Sequence, residues 1–402
     1  MPAGKRVNVV SGFSRTKALP PGSNISRIRI PRISVRQFAL LLAALIVVVT
    51  VQQYLRHGYN NYSIFASSLK LLLAHQSLYV PHPEFYNDLY KYSPTFALFM
   101  APFTWQPVFT GLLCWNLLNG FALFAAIRTL WPDERRVVAT MALVAIELVT
   151  SMQNTQSNAL VAALIILAFV QMEREQSWRA GLSIAAGFFL KGYGAAVGLL
   201  AVLYPKRFRI AGAALAWGVA LAALPLIVIS ADELLRQYGD WANVRETFDP
   251  ERKASVMRVW ARYVDAGGSA LFIQVAGGVL LLLPFARVRQ WRDPLFRLRM
   301  LASLLVALVI FNDSAEPPTY VIAMTGCAIW YLSEPVRSRT DHIVTLAIMV
   351  GVSLISTDLY PRAGRTLIGP YTAKAVGCLI LWLRMNWELL TWHEGRSIPK
   401  AR

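Results

Sequence analysis

The sequence predicts an all-α protein that crosses a membrane roughly ten times, with re-entrant or broken helices and a cavity toward the outer face. Three observations carry this expectation. Hydrophobic residues make up 56% of the chain and charged residues only 15%, whereas soluble domains are about a quarter charged. Apolar runs recur from Phe38 to the C-terminal region, and several reach the roughly 17–25 residues that a spanning helix needs. The Lys and Arg residues fall mostly in the short breaks between those runs. Backbone groups in lipid must be satisfied within their own segment, and the alternating pattern of a barrel is absent, so the spans are read as helices.

Taken in order, the spans are expected at 38–55, 106–128, 137–151, 158–172, 210–230, 270–286, 297–311, 317–332, 342–357 and 371–388. The first is a retained helix and not a signal peptide, because Thr50–Gly58 offers no small-x-small cleavage site. Tyr62–His75 carries Ile64, Phe65, Leu69, Leu72 and Leu73 at helical spacing, the pattern of a helix lying on an interface. Pro94–Pro102 is too short to span and is bounded by prolines, which fits a half-helix dipping into the membrane. Trp178–Tyr204 begins and ends beside basic residues but is too short for two crossings. A bent hairpin that breaks at Lys191-Gly192-Tyr193-Gly194 is therefore expected. Two connections are long, 56–93 and 231–268, and long ordered loops usually carry function.

Charge sets the orientation. Residues 1–37 form a Pro-, Gly- and Ser-containing arm with eight Lys or Arg and no acid, and most of the chain's 40 Lys and Arg share its side once the spans are threaded. The positive-inside rule then places this arm and the 391–402 tail in the cytoplasm, with loops 56–93 and 231–268 outside a plasma or inner membrane. The net charge of +18 follows from topology and does not indicate a nucleic-acid partner. Residues 38–390 read as one transmembrane domain without a convincing fixed-period repeat. Cys114, Cys327 and Cys378 lie inside apolar segments at wide spacing, which suits packing and neither a disulfide framework nor a zinc site.

Polar and ionisable residues in or beside a membrane are costly and so mark candidate chemistry. Here they collect toward the outer side. The first outer loop offers Asn60 and Asn61, then Glu84, Asp88, Tyr90, Lys91 and Tyr92. The turn between the third and fourth spans reads Gln153-Asn154-Thr155-Gln156-Ser157-Asn158, whose amides suit either sugar hydroxyls or the capping of the next helix. Lys191 is a cation inside an apolar segment beside a helix-breaking glycine, either snorkelling to the surface or holding a phosphate. Arg258 and Arg262 suit a phosphate, a diphosphate or a solvated basic face. Asn312, Asp313 and Glu316 precede a late helix, where two carboxylates can bind a divalent cation, hydrogen-bond a sugar or cap the helix. Glu316 directly before Pro317 favours the cap. A His-x-x-x-His pair, a phosphate-binding glycine loop and a Gly-x-Ser-x-Gly elbow are all missing, so no nucleotide cofactor and no metal-ligand cluster is predicted.

At Asn87–Pro102, NDLYKYSPTFALFMAP, the chain resembles glycosyltransferase family 87, a branch of the GT-C membrane glycosyltransferases. The resemblance rests on Tyr90-Lys91-Tyr92-Ser93-Pro94-Thr95-Phe96-Ala97 and Ala101-Pro102. It continues in order through Gln156-Ser157-Asn158, Lys191-Gly192-Tyr193 and the polar block 312–320. It implies a GT-C fold that takes a sugar, mannose in many relatives, from a polyprenyl-phosphate carrier and adds it to a lipid or glycan acceptor on the outer face. It also implies an inverting mechanism with an Asp of the first outer loop as general base. The chain departs from that pattern, because Asn60 and Asn61 stand where many relatives carry Asp, and an amide is no proton acceptor near pH 7. Asp88, two residues before the motif, is the first remaining candidate base, followed by Glu84 and Asp313.

On this resemblance Lys191, with Arg258 or Arg262, holds the phosphate, and Asn61, Gln156 and Asn158 position the sugar. Asn60, Tyr90, Lys91, Tyr92, Asn154, Tyr193, Asn312, Asp313 and Glu316 line the site. The rival expectation from another class is a transporter or flippase of a lipid-linked or polar substrate, which would use the same polar residues without bond chemistry. Clustering toward the outer face, and not along a midplane pathway between repeats, disfavours it. A catalytically inactive family member is the third possibility left by the Asn60-Asn61 change.

Overall fold

A computed structural model describes residues 33–244, 253–264, 270–333, 338–355, 357 and 370–392. The basic arm up to residue 32, the middle of the 231–268 connection and the tail beyond Trp392 lie outside the described residues. Among the described residues there is no strand. The helices in order are α1 (Val35–Leu55), α2 (Asn60–Leu73), α3 (Pro94–Phe99), α4 (Ala101–Thr104), α5 (Val108–Leu130), α6 (Glu134–Gln153), α7 (Asn158–Glu173) and α8 (Ser177–Leu190). After a 3₁₀ segment, Gly192–Leu203, come α9 (Arg207–Ala223), α10 (Ala231–Asn243), α11 (Val256–Tyr263), α12 (Ala270–Leu282), α13 (Pro294–Ile310), α14 (Tyr320–Ser333), α15 (Arg339–Leu354) and α16 (Pro370–Leu390).

Among the described residues, four helices are long and apolar enough to cross a membrane alone: α1, α5, α6, and α9 with its continuation to Ile227. Asn158–Glu173, Gly192–Leu203 and Ala270–Ala286 are shorter apolar helices. The chain is thus a helical membrane protein, and four of the expected spans are met by single long apolar helices. α14 is buried along its whole length, as a helix that is apolar on all sides must be at the centre of a bundle.

Local sequence explains the irregular pieces that build the site. Ser93 caps α3, its hydroxyl accepting from Phe96 N–H at 3.1 Å, and Pro94 occupies the first helical position where a missing N–H costs nothing. The same hydroxyl donates to the Phe189 carbonyl at 2.6 Å, tying α3 to α8. The apolar face of α2 is turned inward. Tyr62, Ile64, Phe65, Leu69, Leu71 and Leu72 are buried, and this helix packs on α3 and α4.

α8 ends at Leu190, Lys191 is extended at φ −154° and ψ 122°, and the chain returns along α8 as the 3₁₀ segment. Where the two arms meet, a Cβ on Gly194 would collide with the Gly187 carbonyl oxygen, so this close backbone approach requires glycine. Polar pins join distant helices inside the bundle. Lys374 Nζ lies 2.7 Å from both carboxylate oxygens of Glu147, linking α16 to α6. Arg297 Nη2 donates to Glu173 Oε2 at 2.7 Å, linking α13 to α7.

Candidate functional site

The turn between α6 and α7 is the frame of the candidate site. Thr155 has φ 50°, a left-handed conformation that a β-branched residue holds only when its surroundings impose it. Neighbouring hydrogen bonds supply that constraint. Thr155 Oγ1 accepts the Tyr62 N–H at 3.0 Å, and its carbonyl accepts Trp115 Nε1–H at 3.0 Å. Asn61 Nδ2 donates to the Asn154 carbonyl at 2.8 Å, while Asn154 Nδ2 donates to the Thr150 carbonyl at 2.9 Å. Asn60 clamps the backbone of Asn87 in both directions, donating at 2.8 Å and accepting at 2.9 Å. These three amides engage backbone groups, and together they hold the first loop and the start of α2 against the turn.

Above that frame sits a cation. Half-buried Lys191 donates through Nζ to Asn158 Oδ1 at 2.8 Å and to Gln156 Oε1 at 3.2 Å. Tyr193 OH donates to the same Asn158 oxygen at 3.2 Å, and Tyr92 OH donates to Gln156 Oε1 at 3.4 Å. Nζ also lies 5.7 Å from the centroid of the Tyr92 ring. Neither Ser157 nor Asn158 caps α7 through its side chain. Instead Ser157 Oγ and Asn158 Nδ2, both buried, have no hydrogen-bond partner among the described residues. A helix N-terminus, a cation and two unsatisfied buried polar groups gathered in one place make an environment for an oxygen-rich anion.

An apolar cavity of about 550 Å³ is lined by residues next in sequence to this cluster. Its walls are Leu69 and Leu73 of α2, Thr95, Phe96, Leu98 and Phe99 of α3, Ala101 of α4 and the following Trp105, Leu160 and Leu164 of α7, and Ala186, Phe189 and Leu190 of α8. Leu221, Leu224, Ile227 and Val228 close it. Leu190 directly precedes Lys191, Leu160 lies two residues after Asn158, and the Phe96 ring stacks on Tyr92 at 4.7 Å. Thr95 contributes a hydroxyl to an otherwise apolar lining.

Asp88 stands beside the frame, directly after the Asn87 that Asn60 clamps. Asp88 Oδ1 accepts the Leu89 N–H at 2.7 Å and lies 3.4 Å from Lys91 Nζ, with 38% of its side chain exposed. It caps no helix, since Ser93 holds that role. Glu84 is exposed and pairs with His82 at 3.2 Å. Its own backbone N–H first, and then His82, hold its carboxyl below the ordinary range, which makes it a weaker proton acceptor. Tyr90 is fully buried, its hydroxyl donating to the Ser93 carbonyl at 2.7 Å, and the Lys91 carbonyl accepts from Trp241 Nε1 at 3.2 Å.

The described part of the 231–268 connection and the late polar block form another assembly. Arg258 lies 3.7 Å from Asp313, and Lys253 lies 3.8 Å from Glu316. Ala254 N–H donates to the Ala315 carbonyl at 2.8 Å, and Tyr320 OH donates to the Ala254 carbonyl at 2.7 Å. Asn312 Oδ1 accepts the Ser314 N–H at 2.9 Å, and Glu316 occupies the N-cap of Pro317–Thr319, its N–H bonded to Thr319 Oγ1 at 3.3 Å. Arg262 lies over the Tyr263 ring. Sequence reasoning did not single out Lys253, Tyr320, or the pair Glu147 and Lys374. The signal for the pair was a lone charge, Glu147, in one apolar run, and a cation, Lys374, near the start of another that also holds Arg384 and Glu388.

Among the described residues no group of three or more His, Cys, Asp or Glu side chains is arranged to hold a metal ion. A model of glycosyltransferase family 87 matches residues 90–312. The match begins at the Tyr90 motif, takes in the Gln156–Asn158 turn and Lys191, and ends at Asn312. No curated protein matches the chain in sequence.

Proposed function

The chain belongs to glycosyltransferase family 87, and from that premise we propose that it moves a sugar, with mannose the first candidate by analogy, from a polyprenyl-phosphate carrier to a lipid or glycan acceptor. In this reading the bundle is of the GT-C type, the reaction occurs at the outer face of a plasma membrane, and both termini are cytoplasmic. The observation that carries the proposal is the junction at Lys191. A donor-rich polar cluster there adjoins, in sequence, residues that line an apolar cavity, a combination that suits a phosphate esterified to a hydrocarbon chain.

Lys191, Ser157, Asn158 and the first N–H groups of α7 hold the phosphate and stabilise the charge that grows on it as the sugar leaves. A phosphate leaving group needs little protonation, so one base suffices. Asp88 removes the proton from the acceptor hydroxyl as that oxygen attacks the anomeric carbon from the side opposite the departing phosphate. Gln156 and Tyr92 orient the sugar, Asn60, Asn61 and Asn154 keep the frame, and Arg258 and Arg262 supply further positive charge.

Lys191→Met tests this reading. Losing a charge-assisted hydrogen bond to the phosphate is expected to raise the donor KM on the order of tenfold to a hundredfold while the protein stays folded. Lys191→Arg is expected to rescue poorly, because a planar fork does not replace a compact ammonium held by two side-chain carbonyls. A near-normal donor KM in Lys191→Met removes this residue from the site.

A further inference from the structure

Resting on the transferase reading above, we propose that Asn60 and Asn61 are positioning residues that set the base, Asp88, and the phosphate-holding turn 154–158 at a fixed separation. An asparagine at a helix start ordinarily bonds that helix's own free N–H groups. Here the cap of α2, Tyr59, makes no side-chain cap bond, and both asparagines of the first turn reach other segments. Asn60 holds the backbone of Asn87, 27 residues away, and Asn61 holds the carbonyl of Asn154, 93 residues away. Tyr62 adds a third hook, its N–H donating to Thr155 Oγ1 at 3.0 Å. Three consecutive residues, within one helical turn, thus join the loop of the base to the turn of the phosphate.

That helical turn is itself anchored. Tyr62 is buried, its hydroxyl donates to the Phe103 carbonyl at 3.1 Å, and a Cβ on Gly111 would collide with that hydroxyl. Asp88 needs such an anchor, because its φ of 155° is a backbone that residues with side chains rarely adopt. Asn60 pins it through Asn87 on one side, and its own Oδ1 accepts the Leu89 N–H at 2.7 Å on the other. Released from Asn60, the chain at Asp88 relaxes and the carboxylate swings off the acceptor. The displacement needs the acceptor oxygen, the anomeric carbon and the departing phosphate oxygen in line, so a misplacement of about 1 Å costs on the order of a hundredfold in rate.

The two amides serve different ends. Asn60 acts on the base, and Asn61 acts on the turn that holds the phosphate. Asn60 needs its whole amide, because one partner is a carbonyl and the other an N–H. A carboxylate at 60 would still accept the Asn87 N–H but would face the Asn87 carbonyl with no proton to offer.

The test uses the purified full chain in proteoliposomes, a membrane lipid extract as acceptor, and whichever radiolabelled polyprenyl-phosphate sugar of a panel the wild-type protein consumes. Asn60→Ala is expected to lower kcat about 10- to 100-fold with donor KM within about twofold of wild type. Asn61→Ala is expected to raise donor KM about tenfold and to lower kcat less than about threefold. Asn60→Ala combined with Asp88→Asn is expected to turn over no more slowly than Asp88→Asn alone, because residues that act as a unit are not additive. Asn60→Asp is expected to be as slow as Asn60→Ala although it adds a carboxylate. The Asp variants at 60 and 61 have the native shape and carry the test where an Ala variant does not fold.

The same change in kcat and KM in both single variants, losses that multiply in the double variant, or near-wild-type kinetics in either single variant overturns the proposal. Faster turnover in Asn60→Asp than in wild type would make residue 60 a seat for the base and overturn it too. In all of these outcomes, transfer by the wild-type protein leaves the transferase reading in place. Absence of transfer by wild type from every carrier overturns the positioning role and the transferase reading together.

Discussion

Asp88→Asn is expected to lower kcat by roughly 10²- to 10⁴-fold, the loss typical of removing a general base, with expression and thermal stability close to wild type. The expectation of a stable variant comes from the geometry. Asp88 Oδ1 accepts the Leu89 N–H at 2.7 Å, and an asparagine oxygen in the same place keeps that bond. The partner at 3.4 Å, Lys91, and Asp88 are both partly exposed, and such pairs are worth only about 0–1 kcal/mol. The substitution therefore removes basicity and little else. A helix-capping role would have left the same variant active, but Ser93 caps α3 and Asp88 caps nothing. Full turnover in Asp88→Asn would transfer the base to Glu84, then to Asp313. Glu84 is the poorer candidate because hydrogen bonds from its own N–H and from His82 stabilise its charged form.

Lys374→Met is expected to cost about 3–5 kcal/mol of stability, read as a lower unfolding temperature in detergent, because it leaves Glu147 as an uncompensated buried charge. Both side chains of the pair are wholly buried, and Nζ bonds both carboxylate oxygens at 2.7 Å. The pair fastens α16 to α6, whose end carries the strained turn at Thr155. Lys374 also lies 5.0 Å from the Tyr320 ring, whose hydroxyl holds the Ala254 carbonyl of the 231–268 connection. Glu147→Gln combined with Lys374→Met is expected to recover most of the loss, since two neutral groups of similar volume replace two charges. Equal destabilisation in the single and double variants would show that packing, and not the charge, dominates at this position.

How much of this was legible in the sequence depended on how local each cause is. The long apolar runs of α1, α5 and α6 announce their helices, and the break at Lys191 is announced by a lone cation followed by Gly192 and Gly194. The role of the asparagines was not legible. Asn60 and Asn61 look like ligand-binding amides in a loop, but their structural partners are backbone groups 27 and 93 residues away. The Glu147–Lys374 pair spans 227 residues, and no pattern within either helix indicates the other. The burial of α2 depends on α3 and α4 folding beneath it. The cavity exists only because parts of α2, α3, α7, α8 and α9 converge, so its volume is a property of packing that periodicity does not encode.

The most direct test is to incubate the purified protein in proteoliposomes with a panel of radiolabelled polyprenyl-phosphate sugars and a membrane lipid extract. The expected result is transfer of label from one carrier to a lipid or glycan acceptor, with release of the polyprenyl phosphate, and loss of that transfer in Asp88→Asn. Label that crosses the bilayer still joined to its carrier, with no transfer to any acceptor, would contradict the transferase reading and point to a flippase.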